Sequence, residues 1–101
     1  PFKRAGALRP DFVLRLHTSP PRWLLIEVKG VERPVWDSAR EALRDLLAYR
    51  RAFDPVLGTA ETPYGLGIAW GESMQASTEI EVALCTPDMV EDALARLLTA
   101  T

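Results

Sequence analysis

The chain has 101 residues, 48% of them hydrophobic, and a formal net charge of −2 at pH 7. This length and apolar content predict one compact domain and argue against disorder, while the charge excludes a global basic field that would attract nucleic acid. The single cysteine, Cys85, excludes an internal disulfide and a cysteine-based zinc cluster, and it fits a reducing, cytoplasmic compartment.

Two strands around a proline-rich turn are predicted for RPDFVLRLHTSPPRWLLIEVKG, residues 9–30. Residues 11–17 and 23–29 alternate between two faces, whereas Pro20 and Pro21 lack the N–H that a strand ladder needs. One register places all the apolar pairs on one face, and it matches Leu16 with Leu24, Leu14 with Ile26 and Phe12 with Val28. The same register places Asp11 opposite Lys29, with Glu27 next to them on the same face.

A long helix is predicted from Trp36 to Phe53, after the hairpin. Its apolar arc holds Trp36, Ala39, Leu43, Leu46, Leu47 and Phe53. Arg50 also falls within this arc, so we expect its side chain to pair with a carboxylate or to extend past the core.

Two further strands and a second helix are predicted for the rest of the chain. Residues 64–71 indicate a buried strand, residues 72–78 a turn and residues 79–85 another strand. The sequence Thr86-Pro87-Asp88 is typical of a helix start, and this last helix is predicted to end near Thr99. Trp70 and Cys85 are expected to pack in the core.

Three charged side chains converge at one end of the predicted hairpin. Asp11 and Glu27 would supply the hard oxygen ligands that Mg²⁺ or Mn²⁺ prefers, with the backbone carbonyl of Val28 between them as another ligand. Lys29 would lie beside the metal and orient, or help to deprotonate, an attacking water. Two carboxylates and a lysine on adjacent strands are what metal-dependent phosphodiester cleavage requires.

Pro10-Asp11, then fifteen residues, then Glu27-Val28-Lys29 resembles the PD-(D/E)xK signature of restriction-endonuclease-like nucleases. The context is similar as well: an acid opens one strand, E-x-K lies on the next, and a helix follows. Within this superfamily the stretch looks most like the endonuclease domains of type III restriction enzymes and of transposon-end-cleaving endonucleases. The resemblance covers about residues 9–53, and it implies that Asp11 and Glu27 are metal ligands and that Lys29 is the catalytic lysine.

Two features of that family have no clear counterpart here. Many members carry a further acid on a helix before the first motif strand, but Asp11 is the first acid of this chain. Either that helix lies upstream or the site is incomplete. The family also often places a polar residue on the helix after the lysine, for which Arg40, Tyr49 and Arg50 are candidates. A stripe of Arg40, Arg44 and Arg51 either contacts phosphates or forms a solvated face.

These observations favour an α/β fold of the restriction-endonuclease-like type, with a mixed β-sheet and flanking helices. The N-terminal helix of that fold is expected to be missing, because residues 1–9 are too short to form it. Residues 1–101 are expected to form a single nuclease-like domain, and the start at Pro1 rather than Met indicates an excerpt of a longer protein.

The predicted function is that of a Mg²⁺- or Mn²⁺-dependent DNA endonuclease that hydrolyses phosphodiester bonds. One alternative is a degenerate nuclease-fold module that binds nucleic acid or a protein partner without cutting. Another is a plain structural domain whose hairpin charges are salt bridges. DNA is the expected partner, no segment is apolar enough to span a membrane, and uncovered sheet would favour a homodimer.

Overall fold

The structure is a computed structural model that describes residues 10–18, 21–30, 35–52, 62–71, 73, 75–77 and 81–99. These ranges contain five strands and two helices: β1 Phe12–Leu16, β2 Arg22–Lys29, α1 Val35–Ala52, β3 Tyr64–Ala69, β4 Gln75–Ser77, β5 Val82–Cys85 and α2 Val90–Thr99. A 3₁₀ turn over Pro87–Met89 leads into α2. The predicted helix end at Phe53 and residues 79 and 80 of the predicted last strand lie outside the described residues.

The strands form one mixed sheet in the order β1-β2-β3-β5-β4. β1 pairs with β2 and β4 pairs with β5 in antiparallel fashion, whereas β3 lies between β2 and β5 and pairs with both in parallel fashion. The predicted α/β class with a mixed sheet and flanking helices is therefore confirmed. The predicted turn over residues 72–78 is wrong at Gln75–Ser77, where three residues form an edge strand that is too short to show an alternating pattern.

The predicted hairpin is present, but its predicted register is wrong by two residues. Leu14 lies opposite Leu24 and Phe12 lies opposite Ile26, so that Asp11 comes next to Glu27 rather than Lys29. A shift of two residues keeps every side chain on its predicted face, so apolar pairing alone does not distinguish the two registers. The observed register leaves a shorter loop between the strands, which costs less chain entropy to close.

Helix α1 packs closely on one face of the sheet because that face carries small residues. Ala42 is fully buried, and a Cβ built on Gly67 of β3 would lie 3.0 Å from its Cβ and 2.7 Å from Leu84 Cδ2. Leu46 packs beside them against Leu25 of β2. Ala39 and Leu46 of the predicted arc are buried, as expected. The buried face is nevertheless rotated from the prediction, because Ala42, outside the predicted arc, is fully buried and Trp36, predicted to be buried, is 59% exposed.

Helix α2 covers the other face of the sheet. Ala93 and Leu97 of this helix are buried in a cluster of strand side chains that includes Leu24, Leu66 and Cys85. The core position predicted for Cys85 is confirmed, and burial raises the pKa of its thiol to about 11. Besides Trp36, four large apolar side chains among the described residues are exposed: Phe12, Leu14, Trp70 and Leu98. Of these, Trp70 was predicted to be buried. Within the described residues, neither helix combines the length and the apolar character needed to cross a membrane.

A charged cluster lies at the end of the sheet where β2 and β3 begin. Arg22 donates two hydrogen bonds to Glu81, of 2.6 and 2.9 Å, and its guanidinium lies 3.8 Å from the centroid of the Tyr64 ring. Arg50 of α1 donates to the carbonyl of Pro63 (2.7 Å) and forms an ion pair with Glu81 at 3.4 Å. The prediction that Arg50 pairs with a carboxylate is confirmed, and these hydrogen bonds tie α1 to the sheet.

Candidate functional site

The candidate site lies at the end of β2, between the start of β1 and helix α1. The Asp11 carboxylate accepts a hydrogen bond of 2.7 Å from the backbone N–H of Val28. Glu27 and Lys29 alternate with Val28 and extend toward α1, where both contact side chains of that helix. The structure therefore brings Asp11, Glu27, Val28 and Lys29 together, as the sequence predicts, although in the shifted register.

Lys29 is held by three carboxylates. Its ammonium nitrogen lies 2.7 Å from Asp45 Oδ2, 3.2 Å from Glu27 Oε2 and 3.3 Å from Glu41 Oε1. Burial alone would lower the pKa of Lys29, but these contacts outweigh it and raise the pKa above its ordinary value. Lys29 is therefore an ammonium group at neutral pH, with its three N–H donors directed at three acids.

In contrast to Lys29, whose charged form is favoured, Glu27 is in surroundings that disfavour its charged form. The residue is 5% exposed, and burial, together with the nearby charge of Asp11, raises the pKa of its carboxyl above its ordinary value. Its Oε2 accepts a hydrogen bond of 3.1 Å from the Tyr49 hydroxyl and faces Lys29. Its Oε1 is buried and has no hydrogen-bond partner among the described residues.

The backbone carbonyl of Val28 is oriented toward the same side as Asp11. In a strand, the N–H and C=O of one residue point to the same neighbouring strand. Since the Val28 N–H is directed at Asp11, its carbonyl faces that side too, while the carbonyl of Lys29 accepts from Trp70 N on the β3 side. The Val28 oxygen therefore lies on the side of β2 where the sequence predicts a metal ligand.

The donor set is small but suits magnesium. Among the described residues, no group of three or more His, Cys, Asp or Glu side chains is arranged to hold a metal ion. Mg²⁺, however, usually keeps several waters and takes only one or two protein carboxylates. The unpartnered Oε1 of Glu27, the carboxylate of Asp11 and the carbonyl of Val28 fit that requirement.

Helix α1 contributes two acids that sequence reasoning did not assign to the site. Glu41 and Asp45 follow each other at a spacing of four, and Tyr49 continues the row, so that all three lie on one helix face. This row of polar side chains on the helix that follows an E-x-K strand was the available signal for the two acids. Of the helix residues named as candidates, Tyr49 contacts Glu27, whereas Arg50 lies at the other end of the sheet.

The arginine stripe lies on the exposed side of α1. Arg40 pairs with Asp37, and Arg44 donates to Asp45 Oδ1 at 3.2 and 3.3 Å. Asp45 binds Lys29 through its other carboxylate oxygen, so Arg44 is connected to the site through Asp45. Burial alone would raise the pKa of the Asp45 carboxyl. Hydrogen bonds from Lys29 and Arg44 outweigh burial and lower this pKa below its ordinary value. Arg51 is exposed near the helix end.

The site thus belongs to a small α/β domain in which a mixed sheet presents paired acids and a lysine to a helix. No protein-family model matches the chain, and neither the curated proteins nor the solved structures include a significant match to it.

Proposed function

We propose that this domain is a metal-dependent endonuclease of the restriction-endonuclease-like type, which hydrolyses phosphodiester bonds of DNA. The observation that carries the proposal is the buried carboxylate of Glu27, whose Oε1 has no hydrogen-bond partner among the described residues and whose neighbour is Asp11. A desolvated, incompletely satisfied carboxylate costs stability. Such a local cost is typical of a functional site.

Asp11, Glu27 and the Val28 carbonyl would hold Mg²⁺ or Mn²⁺. When bound, the ion would polarise the phosphoryl oxygen and lower the pKa of a coordinated water. The two carboxylates also explain why a cation is favoured here, since they are the ligand type that hard divalent ions prefer.

Lys29 serves as a hydrogen-bond donor and as a positive charge. Its raised pKa keeps the proton on Nζ at neutral pH, which favours orienting a water or phosphate oxygen over deprotonating it. Asp45 and Glu41 fix the direction of the ammonium group through contacts of 2.7 and 3.3 Å. A phosphate oxygen that approaches Nζ would replace one of these carboxylates as its partner.

The test combines Mn²⁺ calorimetry with a plasmid-nicking assay on wild type, Glu27→Gln and the control Glu91→Gln, which changes an exposed acid on α2. We expect Mn²⁺ binding and nicking by wild type and by the control. We expect Glu27→Gln to bind Mn²⁺ at least about tenfold more weakly, because it loses the negative charge of a carboxylate ligand, and to lack nicking. Absence of both Mn²⁺ binding and nicking in the wild type would contradict the proposal.

One observation favours a second candidate, a nuclease-fold module that binds nucleic acid without cutting it. Lys29 is already neutralised by three carboxylates, and only two acids and one carbonyl face the candidate metal position among the described residues. DNA binding by wild type without nicking in either Mg²⁺ or Mn²⁺ would favour this candidate.

A further inference from the structure

Two tryptophan side chains are exposed, one in the first turn of helix α1 and one directly after β3. Trp36 is 59% exposed and Trp70 is 48% exposed. The backbone N–H of Trp70 donates to the backbone carbonyl of Lys29 at 3.3 Å. The Ser38 hydroxyl, in the same helical turn as Trp36, donates to the carbonyl of Gly30 at 3.3 Å. The backbone of Trp70 and the helical turn that contains Trp36 are therefore both hydrogen-bonded to the chain where β2 ends, at Lys29 and Gly30.

Trp36 also begins a row of exposed side chains along α1. Arg40 and Arg44 follow it at successive spacings of four, which places all three on one helix face. Arg44 contacts Asp45, and Asp45 contacts Lys29, so the row runs from an aromatic ring to the candidate catalytic lysine. An aromatic ring followed by arginines is the combination that binds bases and phosphates together.

We propose that Trp36 and Trp70 stack on unpaired bases and that the preferred substrate of the site is a single-stranded stretch of nucleic acid. This inference rests on the proposed function, and it adds a substrate class and two specificity-determining residues. Bases in a duplex hide their faces against each other, whereas unpaired bases offer theirs to an exposed indole. Arg40 and Arg44 would contact the backbone of the same strand.

The charges of the chain agree with a binding mode that depends on stacking. The formal net charge of −2 gives little long-range attraction for phosphates, so phosphate contacts alone would hold DNA weakly at physiological salt. The pair of Arg40 with Asp37 is exposed and therefore worth little, so that an incoming phosphate can displace the acid. Stacking on two indoles supplies the sequence-tolerant affinity that these charges lack.

The test measures the anisotropy of a labelled oligothymidylate of about 12 nucleotides, with the 101-residue chain in EDTA so that nothing is cut. A blunt duplex of the same length is the substrate control. The variants are Trp36→Ala, Trp70→Ala, Trp36→Phe and Trp70→Phe, and Leu98→Ala is the matched control because it removes an exposed apolar side chain from α2. Far-UV circular dichroism checks that each variant is folded.

We expect the single strand to bind more tightly than the duplex. Each tryptophan-to-alanine change should weaken single-strand binding roughly 5- to 150-fold, while the phenylalanine variants retain most of it and Leu98→Ala is unchanged. Equal binding by wild type and both alanine variants, tighter binding of the duplex, or no binding to either oligonucleotide would overturn the inference. The outcome is separate from the proposed function, because Mn²⁺ binding and plasmid nicking do not require stacking on these two residues.

Discussion

Substitution of Gly67 by alanine tests the close approach of α1 to the sheet that assembles the site. A Cβ at this position would lie 2.7 Å from Leu84 Cδ2 and 3.0 Å from Ala42 Cβ, both closer than ordinary van der Waals contact. Leu84 can move its terminal methyl, but Ala42 cannot move without the helix. Overpacking of this kind costs about 1–3 kcal/mol, and the loss of chain entropy in the unfolded state returns about 0.4–1 kcal/mol.

We therefore expect Gly67→Ala to lower the free energy of unfolding by about 1–2 kcal/mol, or the melting temperature by about 4–16 °C. Gly30→Ala is the matched control, because no atom lies within 4 Å of a Cβ at that position, and it should be neutral or slightly stabilising. Thermal unfolding followed by circular dichroism measures both variants. Equal stability of the two variants would refute the packing of α1 against Gly67.

Two further predictions concern stability. Because the pKa of Glu27 is raised in the fold, the contribution of this carboxyl to stability falls as the pH rises from about 4, the ordinary carboxyl range, through that raised value. Glu27→Gln should thus gain stability relative to wild type toward neutral pH in urea titrations. Asp45→Asn should instead lose stability relative to wild type toward neutral pH, because a lowered carboxyl pKa stabilises the fold at pH values above the ordinary pKa of that group. The same pH trend in both variants would contradict the directions given for the pKa values of Glu27 and Asp45. Arg22→Met should cost about 1–3 kcal/mol, because it leaves the partly exposed Glu81 without its bidentate partner, and urea unfolding unchanged from wild type would contradict that role.

The hairpin could be predicted from the sequence because alternation fixes which side chains share a face. Asp11, Glu27 and Lys29 are brought together as the pattern requires, although Asp11 lies beside Glu27 and not opposite Lys29. The register could not be predicted, because Leu14 pairs equally well with Leu24 or Ile26. The observed register differs from the predicted one by a shorter loop between the strands and by a polar contact, in which the Asp11 carboxylate accepts a hydrogen bond from the Val28 N–H.

The helix side of the site was harder to predict because large apolar residues such as Leu46 do not by themselves define the buried face of α1. The sheet beneath it is lined by glycine and alanine, so small Ala39 and Ala42 approach it and the large Trp36 is left exposed. The same rotation directs Asp45 inward to Lys29. A helix face chosen by residue size therefore misplaces both the exposed indole and the buried acid.

The charged clusters at the two ends of β2 differ in the charge state of the carboxyl group that the fold favours. At the start of the strand, hydrogen bonds from Arg22 lower the pKa of Glu81, so the fold favours its ionised form, as in a salt bridge that serves stability. At the end of the strand, Lys29 contacts Glu27 as well, yet burial outweighs that contact and the pKa of Glu27 is raised. Our proposal therefore places a divalent cation beside Glu27 and Asp11, because such an ion would stabilise the ionised form of Glu27 that burial disfavours.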